Sequence, residues 1–114
     1  MAMTDIGNVA SIEKFTLASA KSASGDGGSI SWNSDWREVG IYVEWSAGVT
    51  AGVVTIEVAS SQDYVGTWAS LATINWVAAS KVDIVNITGV FGAIRARIST
   101  AIVGGTINVI AVVA

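Results

Sequence analysis

Arg37-Glu38-Val39-Gly40-Ile41-Tyr42-Val43-Glu44-Trp45 is the stretch that decides the fold class. Val39, Ile41, Val43 and Trp45 take alternate positions, with Glu38, Gly40, Tyr42 and Glu44 between them. Side chains of a strand point to opposite faces in turn, so a period of two gives one apolar and one polar face. The next segment repeats the pattern: from Val53 to Ser60, Val54, Ile56 and Val58 read as inward and Thr55 and Glu57 as outward. Between them, Ser46 to Gly52 is a glycine-flanked turn, which predicts an antiparallel hairpin.

Working outward, Ile12 to Ala18 alternates and predicts a first strand. Ser19 to Ser31 is rich in Gly and Ser and reads as a long loop or arm with little to bury. Beyond the hairpin, Ser61 to Thr67 reads as a loop. Trp68 to Trp76 reads as a strand with Trp68, Ser70, Ala72, Ile74 and Trp76 on one face. Lys81 to Ile87 follows, then Val90 to Ser99, where Ile94, Ala96 and Ile98 face in and Arg95 and Arg97 face out. Gly104-Gly105 marks a turn before an almost wholly apolar strand, Thr106 to Val113. That last strand and Val53-Val54 read as covered on both sides, by a second layer or by a neighbouring subunit. The expectation is an all-β fold, an antiparallel β-sandwich or jelly roll of about seven or eight strands. Residues 1–31 are expected as an N-terminal strand and flexible arm, and residues 32–114 as the β-sandwich domain.

Composition agrees. The 114 residues include 16 Val and 13 Ile but only two Leu; β-branched side chains pack well on a pleated surface and lose freedom in a helix. A helix over Ala101 to Ala114 would hold Gly104-Gly105 in its interior and is rejected. No window approaches 18 continuous apolar residues, so a membrane-spanning helix is not expected. Met1 to Ile12 has no basic residue ahead of an apolar run, and a secretory leader is not expected. The chain is 52% hydrophobic and 13% charged, an apolar excess that a small domain hides with difficulty.

The absences restrict chemistry. With no Cys there is no thiolate metal site or thiol nucleophile, and with no His there is no imidazole base. Six basic against nine acidic residues leave a net charge of -3, which gives no footprint for nucleic acid. Asp26, Asp35, Asp63 and Asp83 are scattered without a calcium-loop spacing. Asn86-Ile87-Thr88 matches a glycosylation acceptor and is read as coincidence. No cofactor, metal or catalytic residue is expected, and an enzyme is not.

What remains are candidate contact residues. Trp32 and Trp36 flank a polar stretch and read as interface anchors, with ligand stacking or core packing as alternatives. Trp45 and Trp76 read as core. Arg95 and Arg97 share a face, with Glu44 and Glu57 on other strands; cross-strand ion pairing is one reading, and an intersubunit contact through Arg95, Arg97 and Glu44 the other.

Three stretches carry a family resemblance: Val43-Glu44-Trp45-Ser46-Ala47-Gly48-Val49-Thr50-Ala51-Gly52-Val53-Val54-Thr55-Ile56-Glu57, Gly66-Thr67-Trp68-Ala69 and Ile94-Arg95-Ala96-Arg97-Ile98. Together they resemble small β-rich virion proteins of tailed bacteriophages, over about Val39 to Val109. The resemblance implies a structural role, as a capsid decoration or cement protein stabilising the head lattice. A tail or fibre component and a carbohydrate-binding β-sandwich module are the alternatives. Implied partners are further copies of the chain and the major capsid protein or another virion protein. The implied location is the virion, with the host cytoplasm before assembly.

Overall fold

The computed structural model describes residues 13–32, 36–77 and 82–113. Among the described residues there are eight strands: β1 (Glu13–Lys21), β2 (Gly25–Ser31), β3 (Val39–Trp45), β4 (Ala51–Ala59), β5 (Ala69–Asn75), β6 (Val82–Ile87), β7 (Ala93–Val103) and β8 (Ile107–Val113). They form two four-stranded antiparallel sheets, β1-β8-β3-β6 and β2-β7-β4-β5. The pairs β1/β8, β2/β7, β3/β6 and β4/β5 are the successive rungs of one folded ribbon, which is the jelly-roll arrangement.

The alternation seen in the sequence supplies the core. Val39, Ile41, Val43 and Trp45 of β3 lie opposite Val113, Ala111, Val109 and Ile107 of β8, and all eight are buried. From the other sheet, Val54, Ile56 and Val58 meet Ile98, Ala96 and Ile94 of β7. Each Val or Ile so buried contributes about 1.5–3 kcal/mol of transfer free energy.

β3 and β4 are not a hairpin. β3 pairs with β8 and β6, β4 with β7 and β5, and residues 46–50 cross from one sheet to the other. Of the seven connections, β4 to β5 alone stays within a sheet. Gly104-Gly105 likewise ends β7, which continues to Val103, and carries the chain across the sandwich. There the two crossings touch: a Cβ on Gly48 (φ +100°) would lie 2.9 Å from the Gly104 carbonyl oxygen, and one on Gly104 (φ +87°) would overlap that of Gly48. Glycine is needed at both for backbone conformation and for space.

The Gly/Ser-rich stretch expected as an arm is instead the end of β1 and the whole of β2. Its glycine marks close backbone approach, not freedom. A Cβ at Gly27 would sit 2.6 Å from the Leu17 carbonyl oxygen and 2.8 Å from that of Ala96. The β2 edge is held by Gln62, whose Nε2 donates to the Ser29 carbonyl (2.9 Å) and whose Oε1 accepts from Ser31 Oγ (2.9 Å). The part of the expected arm in residues 1–12 lies outside the described residues.

A second correction concerns β5. A register shift between Ile56 and Glu57 leaves Leu71 without a partner, so Ala72 and Ile74 lie opposite inward Ile56 and Val54 while Ser70 lies opposite outward Glu57. Trp68 and Ser70 therefore do not share a face with Ile74. Such a bulge reverses which face later side chains take.

Candidate functional site

Strands β4 and β7 project polar side chains from the outer face of their sheet. Arg95 lies opposite Glu57, and Arg97 lies opposite Thr55 on one side and Asp26 of β2 on the other. This register builds a four-residue network. Arg95 Nε donates to Glu57 Oε1 at 2.8 Å, and Arg95 Nη2 is 3.4 Å from Asp26 Oδ1. Arg97 lies 3.8 Å from both Asp26 Oδ1 and Glu57 Oε2. Trp68 covers it, its ring 4.3 Å from the Arg95 guanidinium carbon and its Nε1 donating to the Tyr64 carbonyl at 3.1 Å.

Glu57 faces outward, as its position in the alternation implies, yet is only 5% exposed. Arg95 lies against it beneath the Trp68 ring, and Arg97 Nη1 is 3.8 Å away. A carboxylate removed from solvent needs charge-assisted hydrogen bonds, and Arg95 provides one. The two basic and two acidic groups balance, so the network is an internal tie between β2, β7 and β4. Arg95 is spent inside the chain; Arg97, half-exposed, keeps one side to solvent. Glu44 is on the other sheet and takes no part. The cross-strand pairing reading thus holds for Glu57 and fails for Glu44, and Asp26, which the sequence reading left as a scattered loop residue, is the second acidic partner.

Trp32 and Trp36 are brought together at one end of the sandwich. Their ring centroids are 5.7 Å apart at 67°. Phe91 stands edge-on to Trp32 at 5.2 Å, and Phe15 is tilted against Trp36 at 5.7 Å. Edge-to-face geometry is the favoured arrangement of such pairs. The cluster seals this end of the core and leaves an open groove of about 490 Å³ lined by Glu13, Phe15, Ile30, Trp32, Trp36 and Gln62, with Ser31 at its edge. The end of β2 and the β4–β5 and β6–β7 connections lie here, tied by Trp32 N–H to the Gly92 carbonyl and Gly92 N–H to the Ala59 carbonyl, both 2.9 Å. Two of these loops carry valines almost wholly in solvent, Val65 (99% exposed) and Val90 (96%). Sequence reading did not single out Phe91, Val65 or Val90: Val65 fell in an expected loop, and Val90 and Phe91 in the expected strand Val90 to Ser99, whereas β7 begins at Ala93 and leaves both in the preceding loop; Gly66 and Gly89 beside the two valines were the available signal.

Trp45 is buried, and its Nε1 donates to Asp83 Oδ2 at 2.7 Å. Asp83 and Asp26 thus have internal partners, and Asp35 lies outside the described residues. Among the described residues no group of three or more acidic side chains gathers to hold a metal ion, and no helix is long and apolar enough to cross a membrane. Compared with family models, curated proteins and solved structures, the chain matches none of them.

Proposed function

We propose that this chain is a structural component of a bacteriophage virion, a capsid decoration or cement protein that stabilises the head lattice by surface association and performs no chemistry. The observation that carries the reading is the end of the sandwich where Val65 and Val90 protrude beside the Phe15, Trp32, Trp36 and Phe91 cluster. Apolar side chains held in water on loop tips, rimmed by aromatics, suit burial against a partner. The resemblance of residues 43–57, 66–69 and 94–98 to small virion proteins supports the same reading. So does architecture, by analogy alone, since jelly rolls build many viral capsid proteins. The partners are the major capsid protein or another virion protein, together with further copies of this chain.

The test is incorporation. Purified particles should contain the wild-type chain, whereas Val65→Asp combined with Val90→Asp should be largely excluded while folding normally by circular dichroism. Equal incorporation of wild type and double variant would refute the role given to that end.

A second reading has its own observation: the groove beside Trp32 and Trp36 also presents Glu13, Ser31 and Gln62. An aromatic ring with nearby polar groups fits a sugar. Glycan-array binding lost in Trp36→Ala would favour a carbohydrate-binding module over the lattice role.

A further inference from the structure

The outer face of the β1-β8-β3-β6 sheet differs from that of its partner sheet. No loop among the described residues lies over it, and register fixes its layout in three rows. Lys14, Val112, Gly40 and Asn86 form the first row, and Thr16, Ile110, Tyr42 and Ile84 the second. Asn108, Glu44 and Val82 form the third. The middle of the face is apolar: Ile84 is 55% exposed, Val82 is also exposed, and Tyr42, Ile110 and Val112 are half-buried. Lys14, Tyr42, Glu44, Ile110 and Val112 line one shallow concavity of about 340 Å³.

Two opposite charges stand on this surface, and neither belongs to an ion pair among the described residues, where Arg95 and Arg97 make the salt bridges. Lys14 is on β1 in the first row and Glu44 on β3 in the third. With strands about 4.8 Å apart and about 3.4 Å per residue, they are about 17 Å apart, too far to pair with each other. The midpoint between them, one strand and one row from each, is Ile110 on β8.

That placement is self-complementary. A two-fold axis lying in the plane of the face, over Ile110 and perpendicular to the Lys14–Glu44 line, sets each Lys14 against the Glu44 of a second copy. A two-fold interface must put every group and its complement on the same patch in this way. On the same grid the axis lays Ile110 on its own counterpart and Tyr42 between the mate's Ile110 and Val112. Ile84 falls over the side-chain-free position of Gly40. Asn86 meets its own counterpart, which its amide satisfies by both donating and accepting. We infer that this face is a two-fold interface between two copies of the chain, centred on Ile110 and bounded by two Lys14–Glu44 pairs. The inference extends the self-association in the proposed function but does not depend on a virion. The half-buried outer row of β8, read from sequence as covered on both sides, is then covered by a second copy.

The experiment is sedimentation equilibrium of the full chain at low salt. The wild-type chain should approach twice its 11.7 kDa mass. Lys14→Glu alone and Glu44→Lys alone should each weaken the dimer about tenfold or more, because two repulsive pairs replace two attractive ones. The combined exchange, Lys14→Glu with Glu44→Lys, should restore association to within about threefold of wild type, since it rebuilds both pairs in reverse. Ile84→Asp should also break the dimer, while Leu71→Asp, on the other sheet, should not. A wild-type monomer at about 1 mM, where even weak dimers form, overturns the inference. So does an oligomer indifferent to the single reversals, or a double exchange that fails to restore it. A dimer that behaves as described but is absent from particles leaves this interface standing and defeats the virion role instead.

Discussion

Arg95→Ala removes the charge that compensates Glu57, and its cost follows from the geometry. Glu57 is 5% exposed, and its shortest partner is Arg95 Nε at 2.8 Å. Stranding a fully buried charge by deleting its partner costs about 3–5 kcal/mol. Here the Arg97 guanidinium remains at 3.8 Å, and Arg95 itself is 18% exposed, so the lower end applies. Losing the stacked contact with Trp68 adds about 0.5–1 kcal/mol. A total of about 3.5–4 kcal/mol, set against an unfolding entropy of about 2.1 cal/mol/K per residue, lowers the midpoint by roughly 15 °C. Arg97→Ala is the control: it is half-exposed and makes only 3.8 Å contacts, so its cost should stay below about 1 kcal/mol. Arg95→Met with Glu57→Leu should recover at least half of the loss, because no charge is then left buried. Urea unfolding followed by tryptophan fluorescence measures all of these. If Arg95→Ala costs no more than Arg97→Ala, the network does not hold the sheet as argued.

Other expectations are independent of that network. Trp45→Phe keeps a buried aromatic ring but removes the donor to Asp83 and the volume of the second ring; it should cost about 1.5–3 kcal/mol by urea midpoint, and Asp83→Asn, which keeps an acceptor, clearly less. Gly104→Ala places a Cβ against the Gly48 carbonyl at a positive φ and should cost at least about 2 kcal/mol, with hydrogen exchange rising in residues 46–50 and 102–106. Trp36→Ala removes the ring between Trp32 and Phe15 and should destabilise by about 2–4 kcal/mol in thermal unfolding, less than a fully buried tryptophan because the ring is half-exposed.

Much of the sandwich was legible because period-two alternation reports which side of a strand meets the core. Val39 to Trp45, Val54 to Val58 and Ile94 to Ile98 all kept the faces their spacing implies. The same alternation says nothing about which strand lies beside which. Residues 37–60 therefore read as a hairpin, although Trp45 and Val54 end on opposing sheets. β2 was illegible for a different reason: Gly25, Gly27 and Gly28 carry no side chain to alternate, and the need for glycine at Gly27 comes from the carbonyls of Leu17, on the preceding strand, and Ala96, far away in sequence. The bulge at Leu71 reversed the expected faces of Trp68 and Ser70. Among the contact residues, the nearness of Trp32 to Trp36 was readable from their spacing. The separation of Glu44 from Arg95 was not, because it depends on the crossing of residues 46–50.

The virion role is tested by a reconstruction of purified virus particles by electron microscopy, at a resolution that traces the strands of this chain. The expected reconstruction shows a jelly roll bound to the particle with the Val65 and Val90 loop tips and the Trp36 groove turned into a neighbouring protein. Particles lacking the chain, or holding it with that end in solvent, would contradict it.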